Sequence, residues 1–182
     1  RLVASDLEDL ENIIPRICER GVRSFKGFMA YKKRGMFLSD SDLLRILSAL
    51  KDNGGLFCVH AENGDLCDFI EDGFASEDKT GPEYYAPSRP SICEAEAVFR
   101  ILSFAKTLDC PMYIVHVSSW EALQVIEMFR GWSSAPIYAE TCTHYLTLTN
   151  EQMLEMGSLA KVSPPLRDCL LYTSDAADDT PC

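Results

Sequence analysis

The sequence predicts an α/β chain, a partial (β/α)8 barrel of the TIM type truncated at both ends. Three observations carry that expectation. Helical and extended segments alternate along the chain, the extended segments are near-continuous apolar runs, and polar ligand-type residues recur where successive strands end. Apolar runs of this kind belong to parallel strands covered by helices, not to half-solvated antiparallel ones. A closed barrel takes about 250 residues, so a chain of 182 supplies only part of one. A doubly wound open sheet is the rival, but no GxGxxG or P-loop follows any strand.

Taken in order, "SDLEDLENIIPRICERG" is a helix that starts at Ser5 or Asp6, stops at Gly21 and is kinked or interrupted by Pro15. "VRSFKGFMA" is the first strand. "SDSDLLRILSALKDNGG" has a Ser/Asp start, apolar Leu43, Leu44, Ile46, Leu47 and Leu50, and a Gly stop, which together make a helix. "LFCVHAE" is a strand and "GDLCDFIED" a short helix. The polar stretch from Gly73 to Ser91 carries Pro82, Pro87 and Pro90 and reads as loop. Ser91 opens the helix "SICEAEAVFRILSFAKTLD", followed by the strand "PMYIVHVSS" and the helix "SWEALQVIEMFRG". "APIYAETCTHYLTL" is a strand running into a loop, "TNEQMLEM" a short helix, and "AKVSPPL" a fifth strand ended by two prolines.

Composition narrows the function classes. The net charge of -11 and a pI near 4.7 argue against nucleic acid or an anionic membrane as the main partner. No apolar run approaches the roughly 20 residues of a membrane span, and no signal peptide opens the chain. The eight cysteines are irregularly spaced without a CxxC pair, which points away from a thiolate zinc site or a disulfide framework and toward a cytoplasmic setting. The last stretch, "CLLYTSDAADDTPC" from Cys169 to Cys182, breaks the style of the rest and resembles the translation of a sequencing adapter. It is set apart from residues 1–168 as a non-native, disordered tail. Without its three Asp the net charge is about -8, still acidic.

The candidate chemistry sits at strand ends. Lys26 lies in the first strand, among Phe25, Gly27, Phe28, Met29 and Ala30, where a buried ammonium is costly. Tyr31 follows it. His60, Glu62 and Asn63 close the second strand, His116 and Ser118 the third, Glu140 and Thr141 the fourth, and Ser163 the fifth. In a barrel those ends form one mouth, where active sites sit. Read singly, each histidine is more often a hydrogen-bonded core residue than a ligand, and a lone strand lysine usually snorkels to a surface. Three such residues at three strand ends, in a chain with only three His, form a candidate constellation. His144 is assigned a loop hydrogen bond, and Lys32, Lys33 and Arg34 are solvated surface charges.

The strings "SFKGFMAYK", "VHAENGDL", "TGPEYYAPSRP…EAEA", "YIVHVSSWEAL", "YAETCTHYL" and "VSPPLR" occur in this order. Together the chain resembles the hydantoinase/dihydropyrimidinase branch of the amidohydrolase superfamily, a metal-dependent hydrolase fold. That resemblance implies two zinc ions (Zn2+) per subunit, bridged by hydroxide and by a carbamate derived from carbon dioxide on a lysine. The matching lysine is Lys26, and His60 and His116 match ligands of one zinc through neutral imidazole nitrogens. Tyr31 matches a catalytic tyrosine that hydrogen-bonds the substrate and stabilises the oxyanion, and Ser163 a serine that holds the cyclic amide.

The implied reaction is metal-assisted hydrolysis. It opens dihydropyrimidines or 5-substituted hydantoins to N-carbamoyl amino acids. The implied partners are a small cyclic amide or ureide and, when intact, three further copies in a homotetramer, with no nucleic acid and no membrane. The family's His-x-His pair and its metal-binding aspartate have no counterpart in the sequence, so the chain as written is expected to be inactive. Allantoinase, and a non-catalytic scaffold that keeps the barrel but loses ligands, are the alternatives.

Overall fold

The structure, a computed structural model, describes residues 10–168. The two proposed starts of the first helix, Ser5 and Asp6, and the adapter-like segment Cys169–Cys182 lie outside the described residues. Helices α1 (Leu10–Glu19), α2 (Asp40–Asp52), α3 (Gly64–Ser76), α4 (Ser91–Leu108) and α5 (Trp120–Trp132) alternate with strands β1 (Ser24–Phe28), β2 (Leu56–His60), β3 (Met112–Ile114) and β4 (Ile137–Ala139). Two short helices follow, α6 (Thr143–Thr147) and α7 (Asn150–Met156). The strands form one parallel sheet in the order β1-β2-β3-β4, an arc in which each strand neighbours the next in sequence. That order, with a helix between strands, is the expected α/β barrel arrangement.

Local chemistry explains the boundaries. The Ser39 hydroxyl accepts the Asp42 amide at 3.2 Å while the Asp42 carboxylate accepts the Ser39 amide at 3.0 Å, which closes the start of α2. Leu43, Ile46, Leu47 and Leu50 follow at helical spacing and are all buried. Asn63 caps α3 by accepting from the Leu66 amide, and Ser119 caps α5 by accepting from the Ala122 amide. Pro15 lies inside α1 without ending it.

Side chains alternate across the sheet, so its two faces differ. Phe25, Phe57, Met112 and Ile137 stand side by side in register and join α2, α4 and α5 in the hydrophobic core. Lys26, Cys58, Tyr113 and Tyr138 form the matching row on the opposite face, and each is at least partly exposed. Gly27 belongs to the core face. A Cβ there would stand 2.5 Å from Leu38 Cδ1 and 2.6 Å from Phe57 Cζ, so only glycine lets those side chains pack against β1.

Four expectations are corrected. Ala160–Leu166 is not a strand: a 3-10 turn over Gly157–Ala160 leads into irregular backbone. Pro164 and Pro165 have no N–H to give a ladder, so the segment packs by side chains instead. The chain after β4 forms α6 where loop was expected, and α3 runs on to Ser76, into the stretch read as loop. Lys26 is half-buried rather than core, because it stands on the sheet face that the helices do not cover.

Candidate metal and active site

β2 delivers His60 to the site. The residue is 2% exposed, and its Nε2 stands 2.6 Å from Oε2 of Glu62, itself fully buried. A carboxylate only accepts, so Nε2 carries the proton and Nδ1 is left with a bare lone pair. That Nδ1 stands 3.1 Å from Nε2 of His116. His116 lies two residues beyond β3, with a left-handed φ of 45° that turns its ring back toward β2. Arg89 completes the local network by donating from Nη1 to Glu62 Oε2 at 3.0 Å.

Tyr31 and Ser163 come to the same place from opposite ends of the described chain. Tyr31 follows β1 with φ 69° and lays its ring 4.9 Å from that of His60. The Ser163 hydroxyl meets the Tyr85 hydroxyl at 2.5 Å and lies close to the Tyr31 phenol. The Arg89 guanidinium lies 5.4 Å from the Tyr31 ring and 5.8 Å from that of Tyr85. Lys26 projects from β1 on the same sheet face, with Nζ 5.5 Å from the Phe28 ring.

The electrostatics favour a neutral His116 and a protonated Tyr31 phenol. Burial, reinforced by His60 and Lys26 nearby, pulls His116 down to about 3, so its imidazole is neutral at ordinary pH. Burial, with Glu62 nearby, pushes the Tyr31 phenol up to about 12. Burial alone would raise the Glu62 carboxyl, but the hydrogen bond from His60 and the nearness of His60 and Arg89 outweigh it and hold it below the usual range.

The five predicted site residues are therefore placed as follows. His60 and His116 converge, Tyr31 and Ser163 meet beside them, and Lys26 faces the same side. Glu140 and Thr141 do loop work instead: Glu140 accepts from Tyr113 OH at 2.9 Å, and Thr141 donates to the Val117 carbonyl at 2.7 Å. The His144 Nε2 finds no partner among the described residues, so the loop hydrogen bond expected of it is not made there. Lys32 and Lys33 are exposed and pair with Asp65 and Asp72, as surface charges do. Arg89 and Tyr85 are what sequence reasoning missed. Both lie in the Pro-rich stretch that reads as loop, yet Arg89 is 6% exposed.

Among the described residues no group of three or more His, Cys, Asp or Glu is arranged to hold a metal ion. The pair fits half of such a site. Two nitrogens at about 2.0–2.1 Å from one tetrahedral zinc stand about 3.3 Å apart, close to the 3.1 Å between His60 Nδ1 and His116 Nε2. The second nitrogen of His116, Nδ1, is buried and without a partner among the described residues.

No family model matches the chain. Individual relatives do. A D-hydantoinase of Ralstonia pickettii is 45% identical over 167 residues, 90% of this chain and 35% of that one. Among solved structures, a D-hydantoinase superposes with TM-score 0.79 at 41% identity, over 90% of this chain and 35% of its own. The dihydropyrimidinase from Brevibacillus agri NCHU1002 superposes with TM-score 0.81 at 35% identity, over 88% of this chain and 35% of its own. The chain spans about a third of the length of the curated relatives it matches, as a partial barrel would.

Proposed function

From a chain of the hydantoinase/dihydropyrimidinase family that spans about a third of its relatives, we infer that the protein is a metal-dependent cyclic amidase. Its substrates are dihydropyrimidines or 5-substituted hydantoins, opened to N-carbamoyl amino acids. The observation that carries this reading is the convergence of His60 Nδ1 and His116 Nε2, at 3.1 Å, beside Tyr31 and Ser163.

In this reading His60 and His116 would hold one of two zinc ions, and Lys26, as a carbamate, would be a further ligand. Zinc, when bound, supplies a Lewis acid and activated water. The residues of the chain do the rest. Glu62 fixes the His60 tautomer by accepting its Nε2 proton, which aims the Nδ1 lone pair at the metal position. Arg89 holds Glu62 in place. The Tyr31 phenol, protonated to about pH 12, donates to the oxygen on which charge develops as the ring amide is attacked. Ser163 has both donor and acceptor capacity and suits the paired N–H and C=O edge of a cyclic amide. Lys26 becomes an anion only by adding carbon dioxide to its free amine with loss of a proton. Its half-exposed position on the open sheet face gives carbon dioxide access.

The test is metal content followed by ring opening of hydantoin, dihydrouracil and allantoin by the protein in its full length. Two zinc per subunit, with hydantoin or dihydrouracil opened and activity lost in Lys26→Ala and His60→Ala, is the expected result. Allantoin as the preferred substrate would move the reading to an allantoinase. Absence of both metal and turnover would overturn it in favour of a scaffold.

A further inference from the structure

Glu94 is a carboxylate in the first turn of α4, 2% exposed, whose oxygens all point at one loop. Its Oε1 accepts the Ser118 amide at 2.9 Å; its Oε2 accepts the Ser118 hydroxyl at 2.8 Å and the Ser119 hydroxyl at 2.6 Å. A buried carboxylate with three donors is far more than helix packing requires, since an apolar side chain would fill α4 at lower desolvation cost. The loop it grips is the one that carries His116. A left-handed φ of 45° at a residue other than glycine is strained and persists only where neighbours over-determine it.

Here the neighbours are identifiable. The Val117 amide is fixed by the Glu140 carbonyl at 2.8 Å, and the Ser118 amide by Glu94, so the two peptides after His116 are both held. Arg167 then links this clamp to the other half of the site. Its Nη2 donates to the Ser118 hydroxyl at 2.9 Å and lies 3.7 Å from Glu94 Oε2, while its Nη1 donates to the carbonyl of Arg89. Arg167 ends the same short segment that presents Ser163.

We propose that Glu94 is a positioning residue: through Ser118 and Ser119 it holds His116 in its metal-ligating conformation, and through Arg167 it ties that loop to the Ser163 segment. The proposal rests on the reading of His116 as a ligand. A merely structural Glu94 would affect stability everywhere and His116 no more than any other residue. A positioning Glu94 affects the His116 loop and its metal affinity selectively.

The experiment uses the 182-residue chain, Glu94→Gln, and the milder Ser118→Ala, which removes the hydroxyl shared by Glu94 and Arg167 without stranding a buried charge. Two quantities are read by NMR: amide hydrogen exchange at Val117 and Ser118 against that in β2 and α4, and a Zn2+ titration followed on the ring signals of His60 and His116. The expected result is exchange at Val117 and Ser118 accelerated about tenfold with β2 and α4 unchanged, and Zn2+ affinity lowered about tenfold in either variant. If the parent binds Zn2+ at these rings and the variants bind it equally well, the positioning role is overturned while the metal reading stands. If the parent does not bind Zn2+ at these rings, the metal reading itself fails and the proposal with it. Should Glu94→Gln fail to fold, Ser118→Ala decides.

Discussion

Replacing Arg89 by methionine isolates the worth of the buried charge network behind His60. The Arg89 side chain is 7% exposed and that of Glu62 0%, so neither charge is relieved by solvent. Methionine keeps most of the apolar stem and removes the guanidinium, and with it the 3.0 Å hydrogen bond to Glu62 Oε2. Glu62 then keeps only His60, since its Oε1 already has no partner among the described residues. Removing one partner of a buried ion pair costs about 3–5 kcal/mol because the other charge is left uncompensated. With a urea slope of about 2 kcal/mol/M, a loss of about 3 kcal/mol lowers the unfolding midpoint by about 1.5 M. Glu62→Gln in the same background removes the stranded charge and leaves an amide oxygen for the His60 N–H. The double variant should therefore recover at least about 1 kcal/mol over the sum of the single changes. A midpoint for Arg89→Met within about 0.3 M of the parent, with no coupling in the double variant, would refute the argument that this pair is buried and mutually dependent.

Further perturbations test other parts of the structure. Gly27→Ala should cost about 1–3 kcal/mol in urea denaturation, because Leu38 and Phe57, both fully packed, stand within 2.6 Å of the new methyl group. Ser39→Ala should cost about 1 kcal/mol by removing the cap of α2, visible as a lower thermal midpoint. The Tyr31 phenol gives a pH signature: its folded value of about 12 lies above the ordinary 10.0, so the unfolded chain loses this proton first. Its contribution to stability is complete below about pH 10 and is lost as pH rises toward about 12. The fall in urea midpoint between pH 9 and pH 11.5 should be smaller in Tyr31→Phe than in the parent.

The legible parts of this protein were those written in short-range patterns. The α2 boundary follows from Ser39, Asp42 and the Leu43, Ile46, Leu47, Leu50 spacing, all within one stretch of chain. The parallel arc follows from the apolar runs of β1 to β4 and the helices between them. The convergence of His60 and His116 follows from their places at adjacent strand ends. What sequence could not supply was set by partners distant along the chain. Glu62 gains its role from Arg89, 27 residues on, and that arginine sits in a stretch whose prolines signal only loop. Two prolines decided the fate of Ala160–Leu166, which has the apolar content of a strand but not the donors. Lys26 is half-buried where its apolar neighbours suggest a core position, because a strand's alternation says that two faces exist, not which one the helices cover.

The Ser163 segment has a different standing in folding from the rest of the site. His60 and the row beside it are built into the ladder, where β1 and β2 pair in continuous register. The segment from Ser163 to Arg167 joins instead mainly through side chains: Tyr85 to Ser163 and Arg167 to Arg89, each across 78 residues, and Tyr145 to the Pro164 carbonyl, with one backbone bond from the Asn150 amide to the Arg167 carbonyl. Contacts that close such long loops form after local and ladder contacts have made them worth closing. None of these attachments is a strand-to-strand hydrogen bond, so this wall of the site and the sheet beneath it are stabilised by different contacts. The residue that would grip a cyclic amide thus sits on the part of the site held by long-range contacts rather than by the ladder.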